Sequence, residues 1–369
     1  MIGLFRALLV AAGLLFSCAA SLAAPTEITD ALGRKVTVEL PIRRVAVNFN
    51  FEEFTAVAGV GGWQKVVGIS RAAWEGWRPA IFKRYAAVIP NLAAMPDIGL
   101  IEDGSFSAEK LIALKPDAFL LADWMFTALG SERERIEAAG IPIVVIDYNA
   151  QILERHLAST RALGKITGAE ARAEELATFY DSQYRDVLAR VAKANVARKP
   201  RTYVEVGPDG AETAGVSYAT TMWGKILTLL GSDNIAVGKL AGASGRMNPE
   251  AVIAADPEVI FIAGSSWANK PKAVKTGYDM TPEQTRASLA PYAARAGWAD
   301  LSAVRSGNVN AIEHGLSRSL FDFVAMQYIG KRLYPAAFAD VDPDASFRAY
   351  HERYLPVAYG GSWMLPLKP

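Results

Sequence analysis

One cysteine, Cys18, and three histidines, His156, His314 and His351, are all that a chain of 369 residues contains of these two types. A lone thiol excludes a disulfide framework and any cluster of Cys metal ligands. Three dispersed histidines, with no HxxxH or HExxH pair and no clustered acid-His set, argue against a receptor for bare zinc or manganese. Charge of one sign is missing as well: 39 basic residues stand against 38 acidic ones, for a net charge of +1. The Lys and Arg residues are scattered, so neither nucleic acid nor an anionic membrane surface is indicated as a partner. There is no P-loop, no GxGxxG and no nucleophile elbow. An enzyme is thereby disfavoured. A hydrolase using Ser217 or Ser265 with His314 is the distant alternative, since nothing in the sequence pairs them.

What is present begins at the N-terminus. Arg6 precedes an apolar run over residues 7–16, followed by small residues 17–24. That layout reads as a secretory signal peptide over residues 1–24, and the run is too short to span a bilayer, which needs ~20 apolar residues. Cleavage after Ala23 or Ala24 is the preferred expectation. The alternative is that residues 15–18 (LFSC) act as a lipobox, with Cys18 lipidated and anchoring the protein. Either way the chain is exported, and the expected location is the periplasm.

The remaining length suits two domains. Apolar runs at residues 44–48, 65–69, 118–122 and 143–146 read as buried strands and alternate with helical stretches at 51–60, 107–114 and 132–139. Residues 151–198 carry apolar side chains at helical spacing with almost no strand signal, interrupted by Gly164 and Gly168. Alternation then resumes, with strands at 202–206, 259–263 and 309–312 and helices at 222–230, 249–254, 319–333 and 345–354. The expected fold is α/β: two Rossmann-like lobes with parallel sheets, an N-terminal lobe over 25–150 and a C-terminal lobe over 199–369, joined by a long connecting helix over 151–198. An internal echo supports two like lobes. Residues 107–122 (SAEKLIALKPDAFLLA) and 248–263 (NPEAVIAADPEVIFIA) match at one offset, with Glu109 on Glu250, Ile112 on Ile253, Ala113 on Ala254, Pro116 on Pro257 and Ala122 on Ala263. Each reads as cap, helix, Pro-acid turn and buried strand, with an acid in the first helical turn.

Residues 29–38 (TDALGRKVTV), 41–45 (PIRRV), 66–69 (VVGI), 109–117 (EKLIALKPD), 139–144 (AGIPIV) and 298–309 (WADLSAVRSGNV) together make the chain resemble the class III periplasmic binding proteins. These are the receptors of iron-siderophore, haem and cobalamin ABC importers. The resemblance implies ligand held in a cleft between the lobes, modest closure, a monomer, no catalysis and no cofactor of its own. It implies as partner a transmembrane permease dimer with its ATPase subunits, docked through one acid on each lobe, here Glu109 and Glu250. A two-fold partner met by two matched acids is also what the internal echo alone would indicate.

Ligands of open α/β sheets sit at the carboxyl ends of strands. The residues there are rich in aromatics and hold a few cations, a composition suited to an anionic metal chelate such as a ferric siderophore, haem or a corrinoid. The candidate ligand contacts are Asn50, Phe51, Arg71, Trp74, Trp124, Tyr148, Tyr218, Trp267, His314 and Arg318; Trp77, Arg78, Asp123 and Asn149 lie beside them. His314 is also the candidate ligand to the metal of an unsaturated chelate or of haem. An oxyanion such as molybdate is the alternative cargo, held by backbone N–H groups and Arg. Residues 264–297 form a long connection, and residues 359–363 (YGGSW) an unassigned tail.

Overall fold

The computed structural model describes residues 24–195 and 197–368. The expected signal peptide, Ala24 apart, and Cys18 lie outside the described residues.

Short runs rich in apolar residues form strands buried on both faces, as parallel sheets require. In the N-terminal lobe the order is Val66–Ile69, Val45–Val47, Ala118–Ala122, Ile143–Ile146, all parallel. In the C-terminal lobe Arg201–Val206, Val259–Gly264 and Val309–Glu313 form a parallel centre. Antiparallel strands flank it: Val216–Tyr218 and Ser244–Arg246 on one side, Met364–Pro366 on the other. The fold is therefore the expected pair of α/β lobes with a long helix between them. The sequence reading missed the antiparallel flanks and the hairpin of Ala24–Thr29 with Lys35–Leu40. Those strands are short and carry few buried positions: the hairpin strands bury one residue each, Ile28 and Val38, although Lys35–Leu40 does alternate polar with apolar.

The internal echo is a repeat of geometry. Ser107 accepts a hydrogen bond from the Lys110 amide and starts the helix Ala108–Ala113; Asn248 accepts from the Glu250 amide and starts Pro249–Ala255. Both helices end in a left-handed residue, Lys115 at φ 46° and Asp256 at φ 43°. The acid of each following turn binds the start of the neighbouring strand: Asp117 accepts from the Arg43 and Arg44 amides, and Glu258 from the Arg201 amide. An arginine caps each helix end, Arg44 on the Leu114 carbonyl and Arg201 on the Ala255 carbonyl.

The segment between the lobes is two helices. Leu153–Thr167 ends at Gly168, which is left-handed at φ 76°, and Glu170–Ala194 follows. Gly164 lies inside the first helix, where a Cβ would come within 2.5 Å of the Ala173 Cβ. The first helix packs on Phe51–Gly62 and on the strand Ile143–Ile146. Only the 25-residue second helix crosses to the C-terminal lobe, burying Leu176, Tyr180, Tyr184 and Val187.

The long connection and the tail, both unassigned from sequence, pack on each other. The connection becomes the helix Pro282–Ala293, started by a capping box of Thr281 and Gln284. Before it, Gly277 exchanges backbone hydrogen bonds with Ser362, and Tyr278 stacks edge-on against Trp363 at 4.8 Å. Gly361, at φ 91°, lets the tail come so close that a Cβ would sit 2.2 Å from the Gly277 carbonyl oxygen.

Candidate ligand-binding cleft

A cleft of about 590 Å³ opens between the lobes at the carboxyl ends of both sheets. The N-terminal wall is built from residues just past the strands: Trp77, Asp123 and Trp124, then Asp147 and Asn149, with Glu102 from the preceding loop. The C-terminal wall presents Tyr218, Met222, Ser244, His314 and Arg318.

The two walls differ in charge. Arg155 bridges Asp123 at 3.1 Å and Asp147 at 3.3 Å. Burial, and then Asp147, raise the Asp123 carboxyl above its ordinary range. Burial also raises Glu102, against a downward pull from Arg318. On the opposite wall Arg318 lies over the rings of Phe49 at 5.5 Å and Trp77 at 5.8 Å. Among the described residues no carboxylate lies within salt-bridge distance of it, and its Nε has no hydrogen-bond partner. Burial and the neighbouring Arg78 both disfavour its charge. His314 accepts a hydrogen bond from the Trp223 indole N–H at 3.1 Å on Nδ1. Burial, then Arg318 and Arg78, hold its pKa well below the ordinary imidazole value, so the ring is neutral.

Of the ten residues expected at the ligand, the structure brings four onto the cleft: Trp124, Tyr218, His314 and Arg318. Trp267 is not among the cleft-lining residues but neighbours His314, ring centroids 6.0 Å apart. The other five lie elsewhere. Phe51 and Trp74 are fully buried and stacked on each other at 4.3 Å, because their helices turn them into the lobe core. Tyr148 is buried too, its hydroxyl bonded to Thr160. Arg71 is spent on Glu75 and on the Ala93 and Met95 carbonyls, bracing a loop. Asn50, left-handed at φ 60°, is buried behind Arg318 beside Glu52 and Glu53. Arg78 is likewise committed, paired with both carboxylate oxygens of Glu52 at 2.6 and 3.1 Å. Glu102, Asp147, Met222 and Ser244 were not foreseen. Asp147 directly follows a predicted strand and was open to detection; Glu102 lies on a loop, Met222 is the N-cap residue of the helix Trp223–Leu229, and Ser244 begins the short flanking strand that the sequence does not mark.

Glu109 and Glu250 are both exposed. Glu109 accepts from Arg135 at 2.8 Å. Among the described residues no group of three His, Cys, Asp or Glu could hold a metal ion, and no helix is long and apolar enough to cross a membrane.

The profile of the periplasmic binding protein family matches residues 51–314. The fold superposes on the TroA-like periplasmic binding protein FepB from Veillonella parvula with a TM-score of 0.87 and 35% identity, covering 93% of this chain and 99% of that one. The molybdate-binding protein MolA of Haemophilus influenzae is 24% identical, covering 96% of this chain and 97% of its own. An uncharacterised ABC transporter substrate-binding lipoprotein of Bacillus subtilis, YvrC, is 23% identical over 86% of this chain and 88% of its own.

Proposed function

The chain belongs to the periplasmic binding protein family, the solute-binding components of ABC importers, and from that premise we propose that it captures a metal chelate, such as a ferric siderophore, and delivers it to the inner-membrane permease. Arg318 carries the reading. It is a cation on an aromatic-walled cleft of about 590 Å³, and among the described residues no carboxylate lies within salt-bridge distance of it. A guanidinium so placed matches an anionic oxygen edge in a bidentate way. The volume falls in the range of sites for drug-sized ligands, about 300–1,000 Å³. The opposite wall, with Glu102, Asp123 and Asp147, accepts hydrogen bonds from amide or hydroxyl donors. A chelate with anionic oxygens on one edge and such donors on the other satisfies both walls. Haem and a corrinoid are the alternatives within this class. A molybdate-like oxyanion is the second reading, favoured by the MolA relative and by the donors of Arg318 and His314, but the acidic wall repels a small dianion.

Binding is the whole activity; no substrate is turned over. Tryptophan fluorescence of the mature protein should quench on adding its cargo from a panel of ferric siderophores, haem, cobalamin and molybdate. Replacing Arg318 by Gln should weaken that binding by roughly tenfold to a hundredfold, the worth of a hydrogen-bonded charge. Binding of molybdate alone would sink the chelate reading.

Glu109 and Glu250 are the proposed contacts with the permease dimer, one from each repeat. Changing both to Ala should leave ligand affinity unaltered and abolish uptake in cells; a loss of affinity in the purified protein would refute the assignment.

A further inference from the structure

The hydrogen bond inside the C-terminal wall decides what His314 can do. Trp223 is fully buried, and its indole N–H is a donor only. It donates to Nδ1 of His314 at 3.1 Å, so Nδ1 must hold a lone pair. In a neutral imidazole the single proton is then on Nε2. Two rings frame the imidazole: Trp267 at 6.0 Å and Tyr218 at 6.4 Å. Turning the ring over would set a C–H against the indole and leave a buried donor unpaired, which is costly. Shifting the proton to Nδ1 would set N–H against N–H at the same place. Nε2 makes no hydrogen bond within the described residues, and His314 lines the cleft four residues before Arg318 on one 3₁₀ turn.

We propose that Trp223 is a positioning residue that locks His314 in its Nε2–H tautomer, so that His314 and Arg318 form a subsite for an anionic oxygen and His314 does not ligate metal. A metal bond to Nε2 would need the lone pair that this tautomer lacks. The expected direct ligation by His314 is thereby replaced, and the chelate must bring a metal whose coordination shell is already filled, or present an oxyanion. The inference rests on the anionic-cargo reading only for what the N–H donates to.

The test is nitrogen NMR on protein labelled at its three histidines, with His314 assigned from the His314→Gln variant. The protein alone should show a protonated Nε2 and a bare Nδ1 at His314; the reverse pattern overturns the proposal. Trp223→Phe should release the lock and give a mixture of both tautomers while near-UV dichroism still reports a folded protein; an unchanged tautomer would refute the role of Trp223. Nickel(II) chloride should leave the His314 signals unbroadened, and saturable broadening there would also overturn it. Molybdate and a ferric tris-catecholate serve as anionic probes. Whichever binds should move the Nε2–H signal, and His314→Gln, which keeps an N–H donor, should hold affinity within about threefold where His314→Leu loses about tenfold or more. Binding without a shift at Nε2–H overturns the donor role. The tautomer and nickel results are read without any cargo, so failure of both anions to bind would count against the chelate reading while those results still decide the lock.

Discussion

At the scale of single residues, the tryptophans divide by what stands behind them. Trp74 and Trp124 both follow predicted strands, yet one is core and the other cleft. Trp74 sits among Phe51, Trp63, Phe82 and Tyr85, ring centroids 4.3 to 5.6 Å away. Among the described residues Trp124 has only Phe49 as an aromatic neighbour, edge-on at 5.5 Å. Trp74→Ala should therefore cost about 3–5 kcal/mol of stability, as for a large aromatic removed from a packed core, with no change in the affinity of the protein that still folds. Trp124→Ala should show the opposite balance. Urea denaturation beside ligand titration separates the two. Nothing local in the sequence distinguishes these residues, because the difference lies in which direction a short turn of helix faces. The same holds for the arginines: Arg71, Arg78 and Arg318 are alike as letters, and it is their partners, Glu75 with the Ala93 and Met95 carbonyls for Arg71 and Glu52 for Arg78, that take the first two away from the binding wall.

At the scale of elements, the parallel strands were legible because each is a short run rich in apolar and β-forming residues, and the matched helix-turn-strand units because their caps and acids recur at fixed places. Glu109 and Glu250 could be located from sequence for that reason. The break in the connecting segment was only half legible. Gly164 and Gly168 both interrupt the pattern, but one is a helix end and the other a close approach. Gly164→Val should push the two helices apart, since its side chain would meet Ala173 and the Glu170 backbone. A loss of about 1–3 kcal/mol in thermal or urea unfolding is expected for such overpacking. Gly168→Ala meets no atom, and should cost less, through its positive φ alone. The cleft walls were the least legible part: Glu102 reaches them from a loop and Ser244 from a three-residue flanking strand, both placed by tertiary packing and not by any periodic signal.

At the scale of the whole molecule, buried titratable groups tie stability to pH in two opposing ways. Burial lowers His156 to about 3 and His351 to about 4. Both folded values lie below the ordinary 6.5, so unfolding takes up protons in between. The stability these rings contribute is whole above about pH 6.5 and is lost as pH falls toward 4 and 3. Burial, and then Glu52, raise Glu53 to about 7 from 4.5. Its contribution is present below about pH 4.5 and erodes as pH climbs through 7. Urea midpoints should thus drop by a few kcal/mol equivalent between pH 6.5 and 4; His351→Gln should flatten that acid limb, and a limb identical to the parent's would contradict a neutral buried His351. Glu53 also accepts the Leu320 amide across the lobes at 3.1 Å, as Gln151 donates to the Ser317 carbonyl at 2.7 Å and Arg84 pairs with Asp279 at 2.9 Å. Those lobe-crossing bonds are contacts that any widening of the cleft has to break, and each hydrogen bond so broken is worth about 0.5–1.5 kcal/mol.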